Sequence, residues 1–342
     1  MFKKFTFRTA AIFLAAVLLL LPVKATPENS ARSCILIDAD TDRVIYENCA
    51  DTRSLIASTT KIMTAMVVLE HQPLNKTFII PPEATNIEGS SMYLKAGECL
   101  TVEELLYGMM LHSGNDAAIA LALLTAGNVE EFVVLMNLKA QKLGLKQTHF
   151  ENPNGLDGDQ HYSTARDLAK LTQYALQNED FCRIVSTKSI QAAGRSLRNH
   201  NRLLWLCDGC IGVKTGYTKA AGRILVSAAR RNGRCLIAVT ICDGNDWQDH
   251  LRLYDYGFGQ YQNTMVIEEN EIVAQMPMMD GSTLPLKAGE SLELFLCENE
   301  TIEVRLEMPQ FAFVKGEEGS YAAQGGVYLG TKKIAQIPLL WG

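Results

Sequence analysis

Basic charge is scarce in this 342-residue chain once its first 25 residues are set aside. Those residues hold Lys3, Lys4, Arg8 and Lys24 and no acid. The remainder carries 28 basic residues against 38 acidic ones, a net −10. An acidic body lacks the basic face that phosphate backbones require, so no nucleic-acid partner is expected. Long apolar runs are missing too. The longest, residues 10–21 (AAIFLAAVLLLL), has 12 residues, where a membrane-spanning helix needs about 20. Histidine is rare, six in all, and none lies in an HExxH, so zinc peptidase chemistry is not expected. Cys207-Asp208-Gly209-Cys210 has no second CxxC partner, which excludes a zinc ribbon. Neither metal nor cofactor is expected. What the chain does have is 47% hydrophobic and 20% charged residues, enough to bury cores and exclude wholesale disorder.

The N-terminus reads as a secretory signal peptide, residues 1–25. Lys3, Lys4 and Arg8 precede the apolar run, and Val23-Lys24-Ala25 places small or aliphatic residues before a cleavage point near Ala25. The protein is therefore expected to be secreted across the cytoplasmic membrane and to work outside it. Nine cysteines follow, an odd number, so at least one thiol is free or intermolecular.

Length predicts about two domains. Ser33–Asp38 and Arg43–Asn48 read as a β-hairpin. Helices are expected over 58–71, 101–112 (Thr101 and Glu104 forming a capping box), 115–125, 129–143, 164–177 and 246–259. Residues 152–159 form a turn-rich loop, and 211–217, 222–231 and 234–242 three successive strands. Beyond Gln260–Thr264 the text turns strand-like, with candidates at Leu292–Leu296, Thr301–Met308, Phe311–Val314 and Gly326–Leu329. The expected division is a catalytic domain, 26–262, and a β-rich domain, 263–342.

Three short motifs carry the chemistry. Ser58-Thr59-Thr60-Lys61 is the only SxxK, Ser113-Gly114-Asn115 the only SxN and Lys214-Thr215-Gly216 the only KTG. Each alone is a commonplace cap, turn or strand. On a helix, residues three apart share a face, so Lys61 is placed beside Ser58. A serine hydroxyl needs a base to become a nucleophile, and lysine serves only when neutral, which burial and a neighbouring cation such as Lys214 promote. The Ser58 N–H at the helix start is free for a developing oxyanion. Ser113 offers a proton relay, and Asn115 an amide for base and substrate. Lys214 and Thr215 offer a cation and a hydroxyl for a carboxylate. Gly216 leaves room for an extended substrate, and Tyr217 supplies a second backbone N–H.

In order and context these motifs resemble the serine D-alanyl-D-alanine carboxypeptidases, the low-molecular-mass penicillin-binding proteins. Ala57–Ala65, Met110–Ala118, Asn152–Asp157, His161–Ala169 and Lys214–Gly222 share the family's wording. The resemblance implies an α+β fold: a β-lactamase/transpeptidase-like helix–antiparallel sheet–helix domain followed by a small all-β domain. It implies removal of the terminal D-Ala from peptidoglycan pentapeptide through an acyl-enzyme. Catalytic Ser58, Lys61 and Ser113 would work with substrate-binding Asn115, Lys214, Thr215 and Gly216. Backbone N–H groups of Ser58 and Tyr217 would hold the oxyanion. Partners would be the peptidoglycan stem peptide and β-lactams as covalent inhibitors. Two departures stand out. The family's terminal amphipathic helix is missing, so no stable membrane anchor is expected. Tyr217 replaces the family's frequent histidine.

A class A β-lactamase is the nearest alternative, but the Glu151–Leu156 loop lacks that family's Glu-x-x-Leu-Asn pattern. A silent peptidoglycan binder is the other, and the intact motifs oppose it. His112, beside Ser113, reads as a helix-end residue. Within the sheet that the resemblance implies, Cys34 and Cys242 sit on neighbouring antiparallel strands. Either a disulfide or two buried thiols fits that placement.

Overall fold

The computed structural model describes residues 26–297, 300, 302–307 and 312–342. The expected signal peptide, 1–25, lies outside these, as do Thr301, Met308 and Phe311 of the expected C-terminal strands.

The first hairpin is β1 (Ser33–Asp38) and β2 (Arg43–Asn48), with the bounds read from sequence. Two short ribbons, β3 (Thr77–Ile79) with β4 (Cys99–Thr101) and β5 (Ser189–Ala192) with β6 (Arg195–Arg198), were not foreseen. The three late strands are β7 (Cys210–Thr218), β8 (Gly222–Arg231) and β9 (Arg234–Ile241). They join the first hairpin in an antiparallel sheet of order β2-β1-β9-β8-β7. β7 is therefore an edge strand.

Both faces of this sheet are covered, because its central strands alternate two sets of apolar residues. Ile35, Ile37, Ile224, Val226, Ile237 and Val239 face the larger core. That core is shared with α1 (Lys61–His71), α2 (Val102–Leu111), α3 (Asn115–Ala126), α4 (Val129–Lys142), α5 (Ala165–Ala175) and α6 (Glu179–Ser186). Leu36, Leu225, Leu236 and Ala238 face the other way. They pack with the one-turn α7 (Leu203–Leu206) and with Leu253 and Tyr254 of α8 (Asp246–Gln260). α2 begins with the expected capping box, Thr101 Oγ1 accepting from the Glu104 N–H and the Glu104 carboxylate from the Thr101 N–H. Among the described residues no single helix is long and apolar enough to cross a membrane.

Among the described residues after Gln260 the regular elements are strands: β10 (Tyr261–Ile267), β11 (Ile272–Pro277), β12 (Thr283–Ala288), β13 (Leu292–Cys297), β14 (Ile302–Glu307), β15 (Tyr321–Leu329) and β16 (Lys332–Trp341). β10 pairs with β13, and the rest form a sheet of order β11-β12-β16-β15-β14. Leu286, Val327, Ile337 and Leu339 centre its core. Phe295 of β13 instead joins the α8 layer, and its carbonyl accepts from Arg43 Nη1 at 2.9 Å. Arg43 also pairs with Glu300.

Two expectations are corrected. Over the described residues 312–314 the expected strand Phe311–Val314 is not formed: Ala312 makes only an isolated bridge to Met278, and the residues after it bend. No disulfide joins Cys34 to Cys242, for all nine cysteines are free thiols. β1 and β9 are indeed antiparallel neighbours, but the register sets Cys34 opposite Thr240 and leaves Cys242 two residues along. Such diagonal positions lie about 7–8 Å apart, beyond ordinary disulfide reach.

Candidate active site

Ser58 lies in a 3-10 turn, Ala57–Thr60, that precedes α1, rather than inside the α-helix expected over 58–71. Ala57 has φ +45°, and Thr59 Oγ1 donates to the Ile56 carbonyl at 2.6 Å, which winds the chain tighter than an α turn. In a 3-10 turn residues i and i+3 eclipse, so Lys61 lies directly over Ser58 and donates from Nζ to Ser58 Oγ at 3.0 Å. Two glycines clamp this turn. A Cβ on Gly155, whose φ is +88°, would fall 2.0 Å from the Ala57 carbonyl oxygen. One on Gly216 would sit 3.2 Å from the Ile56 carbonyl and 3.3 Å from Ser58 N. Gly216 therefore brings the edge strand β7 against the Ser58 turn while it lines the cleft.

Lys61 is fully buried. Its Nζ also donates to Asn115 Oδ1 at 2.7 Å and to the Asn154 carbonyl. Burial first, then the nearby Lys214 ammonium, drives its pKa well below the ordinary lysine value, with Asp116 partly opposing. Ser113 occupies the turn between α2 and α3 at φ +64°, and Lys214 Nζ donates to its hydroxyl at 3.0 Å. Lys214 also donates to the Thr215 carbonyl at 2.9 Å. Burial lowers its pKa to about 7. Asn115 opens α3, and its Nδ2 donates to the Glu88 carbonyl at 2.6 Å. With Oδ1 held by Lys61, one amide hydrogen is left for a ligand.

Ser58, Ser113, Thr215, Gly216 and Tyr217 line one cleft of about 550 Å³. Tyr217 is 65% exposed at the border of this cleft. The structure thus brings together every residue singled out in the three motifs.

Other members of the site were not legible. Asn154 contributes a backbone carbonyl, which side-chain identity does not encode. Asp116, fully buried, accepts from the N–H groups of Met92 and Leu94 and from Ser91 Oγ, tying down the segment that flanks the cleft. The adjacency of Asp116 to the SxN motif was its only signal. His161 accepts at Nδ1 from the Glu151 N–H at 3.0 Å, so its Nε2–H donates to Thr60 Oγ1 at 2.7 Å. Burial lowers its pKa to about 4 and keeps it neutral, fastening the 151–155 loop to the turn. At the far end of the cleft Arg223 makes a bidentate pair with Asp246, at 2.7 and 3.1 Å, beside Trp247. His112 caps the end of α2, as read.

The profile of the D-alanyl-D-alanine carboxypeptidases, peptidase family S11, matches residues 22–245. The D-alanyl-D-alanine carboxypeptidase DacF of Bacillus subtilis is 34% identical over 266 residues, 74% of this chain and 68% of that one. The crystal structure of penicillin-binding protein 5 from Haemophilus influenzae superposes with a TM-score of 0.77 at 27% identity, covering 93% of this chain and 98% of that one. The Streptomyces K15 DD-transpeptidase, as an S96A mutant, gives a TM-score of 0.66 at 34% identity and covers 68% of this chain with the whole of its own. A catalytic constellation of this geometry, on this sheet, within matches of that extent, places the chain in the D-alanyl-D-alanine carboxypeptidase family of serine hydrolases.

Proposed function

We propose that Ser58 is the nucleophile that removes the terminal D-Ala from peptidoglycan pentapeptide. The observation that carries the reading is Lys61: fully buried, its pKa driven down, and 3.0 Å from Ser58 Oγ. Neutral Lys61 takes the Ser58 proton as Oγ attacks the carbonyl of the penultimate D-Ala. The oxyanion is held by the N–H groups of Ser58 and Tyr217; β7 is the sheet's edge, so its outer backbone has no strand partner and is open to an extended ligand. Lys214 and Thr215 receive the substrate's terminal carboxylate. Lys61 hands the Ser58 proton on to Ser113 as the Ser113 hydroxyl, hydrogen-bonded to Lys214, gives its own to the departing amine, which leaves Lys61 neutral again. D-Ala leaves, and water then attacks the Ser58 ester, its proton returning through Lys61.

A β-lactam follows the same first step and leaves a penicilloyl ester on Ser58. Glu151, the loop's acidic residue, accepts from the Gln160 N–H at 3.0 Å and is occupied within its own loop. That favours a lasting acyl-enzyme over β-lactamase turnover. The composition of residues 1–25 supports export and work at the wall, and the change to strand after Gln260 supports a catalytic unit of 26–262 with a β-rich unit of 263–342. The test is release of D-Ala from pentapeptide and labelling by fluorescent penicillin, wild type against Ser58→Ala. Both are expected to vanish in the variant; labelling at the wild-type level would overturn the assignment.

A further inference from the structure

Beside the catalytic cleft lies a second cavity of about 580 Å³. His200 borders both. The other walls include His112 at the end of α2, Arg198 at the end of β6, and Arg202 and Trp205 at α7. No carboxylate lines it. This stands out in a chain with more acidic than basic residues.

Two of the cations here, Arg198 and Lys188, have an aromatic partner but no acidic one among the described residues. Arg198 lies over the Trp205 ring at 5.2 Å and Lys188 at 6.0 Å. Among the described residues, neither these two nor Arg202 makes an ion pair with an acid. His112 borders the cavity, and its Nδ1, buried behind that wall, has no hydrogen-bond partner among the described residues. The frame that carries these groups is fixed. The His200 N–H donates to the Leu111 carbonyl at 3.1 Å, and Asn199 Nδ2 to the carbonyls of Val185 and Thr187, each at 3.1 Å. Gathering like charges on a rigid frame without counter-ions is unfavourable unless a ligand supplies the opposite sign. Arginine forks match a planar carboxylate, and an exposed indole suits the apolar or sugar part of the same ligand.

We propose that this cavity binds a carboxylate of a second peptidoglycan stem peptide and holds the wall polymer beside the cleft. The shared wall at His200 puts the occupant next to the reacting chain, where stem peptides are the carboxylate bearers at hand. The inference rests on the reading of the cleft as a stem-peptide hydrolase. His200 adds a built-in reporter: burial, Lys214 and His112 together lower its pKa to about 4, and a neighbouring anion would raise it.

The full chain, with its cleft blocked by penicillin acylation, is titrated with a tetrapeptide muropeptide already lacking the terminal D-Ala, and the histidine imidazoles are followed by NMR. Binding is expected to raise the His200 pKa and to weaken about tenfold in Arg198→Gln/Arg202→Gln. The same double variant is expected to cleave a short peptide ending in D-Ala-D-Ala at the wild-type rate but to process polymeric peptidoglycan more slowly. Unchanged muropeptide affinity in the double variant overturns the proposal. So does inorganic phosphate binding as tightly as the muropeptide, which would point to a phosphate polymer instead. Failure of wild type to release D-Ala from the short peptide would sink the cleft reading, and the muropeptide titration reads separately from it.

Discussion

Ser58 and Ser227 each lie beside a candidate base, and only Ser58 is placed to react. Ser227 Oγ is 2.6 Å from His250 Nδ1 and 2.6 Å from the Tyr254 hydroxyl, and His250 Nε2 is 3.0 Å from Thr240 Oγ1. All four residues are fully buried between the sheet and α8. Burial lowers the His250 pKa to about 3, so the ring is neutral and fully bonded. Ser58 has the opposite arrangement: its hydroxyl opens on a cleft, and its base lies near a second buried lysine. A serine–base pair becomes a nucleophile through access and an unsettled proton, not through proximity. Where every partner is satisfied, the same ingredients make a structural network.

The comparison breaks most sharply at Lys61. Lys61→Arg keeps a charge that cannot leave near neutral pH, so acylation by fluorescent penicillin is expected to fall about 10³-fold while circular dichroism shows a folded chain. Near-normal acylation would mean the base lies elsewhere. Gly155→Ala comes next. Its Cβ has no room before the Ala57 carbonyl, so the Ser58 turn must shift and acylation should drop about 10²-fold. Gly127→Ala, where the added Cβ meets nothing and only the positive φ is strained, serves as the control and should cost stability alone.

Ser227→Ala tests the silent pair. Denaturant unfolding should show a loss of about 1–3 kcal/mol, with the acylation rate unchanged. A catalytic defect at equal folded fraction would contradict the structural role. The buried lysines also make stability depend on pH. Lys214 titrates near 7 when folded against 10.5 for an ordinary lysine, so the folded state binds fewer protons in that window and stability rises with pH across it. Lys214→Met removes the buried charge. Below about pH 7 it should melt higher than wild type, with this rise in stability flattened and activity reduced. Part of the slope should remain, because Lys61 is shifted in the same direction; a slope undiminished by the substitution would show that Lys214 does not contribute.

Local pattern was enough for much of the fold. The Ser33–Asp38 and Arg43–Asn48 hairpin, the Thr101 capping box and the Gly222–Arg231 strand follow from alternation, caps and turns within a few residues of each other. The β3–β4 and β5–β6 ribbons were missed because strands of three or four residues are too short to show a period. The expected strand at Phe311–Val314 is not formed over its described residues, where Ala312 makes only an isolated bridge to Met278. The Ser58 turn was misread as α-helix because nothing near it in sequence reports that Gly155 and Gly216 press on it.

The chemistry-bearing residue types were determined by sequence alone. Ser58, Lys61, Ser113, Asn115, Lys214 and Thr215 are named by three motifs, and the capped helices and paired strands that carry them follow from local periodicity. Tertiary structure alone decided what those residues can do. Burial lowers the pKa of both lysines and the Lys214 charge lowers that of Lys61 further, the Asn154 carbonyl reaches Lys61 from a distant loop, and Arg198, Arg202 and His112 meet around one cavity. Burial and electrostatic potential are sums over neighbours in space, and those neighbours lie some hundred residues apart along the chain.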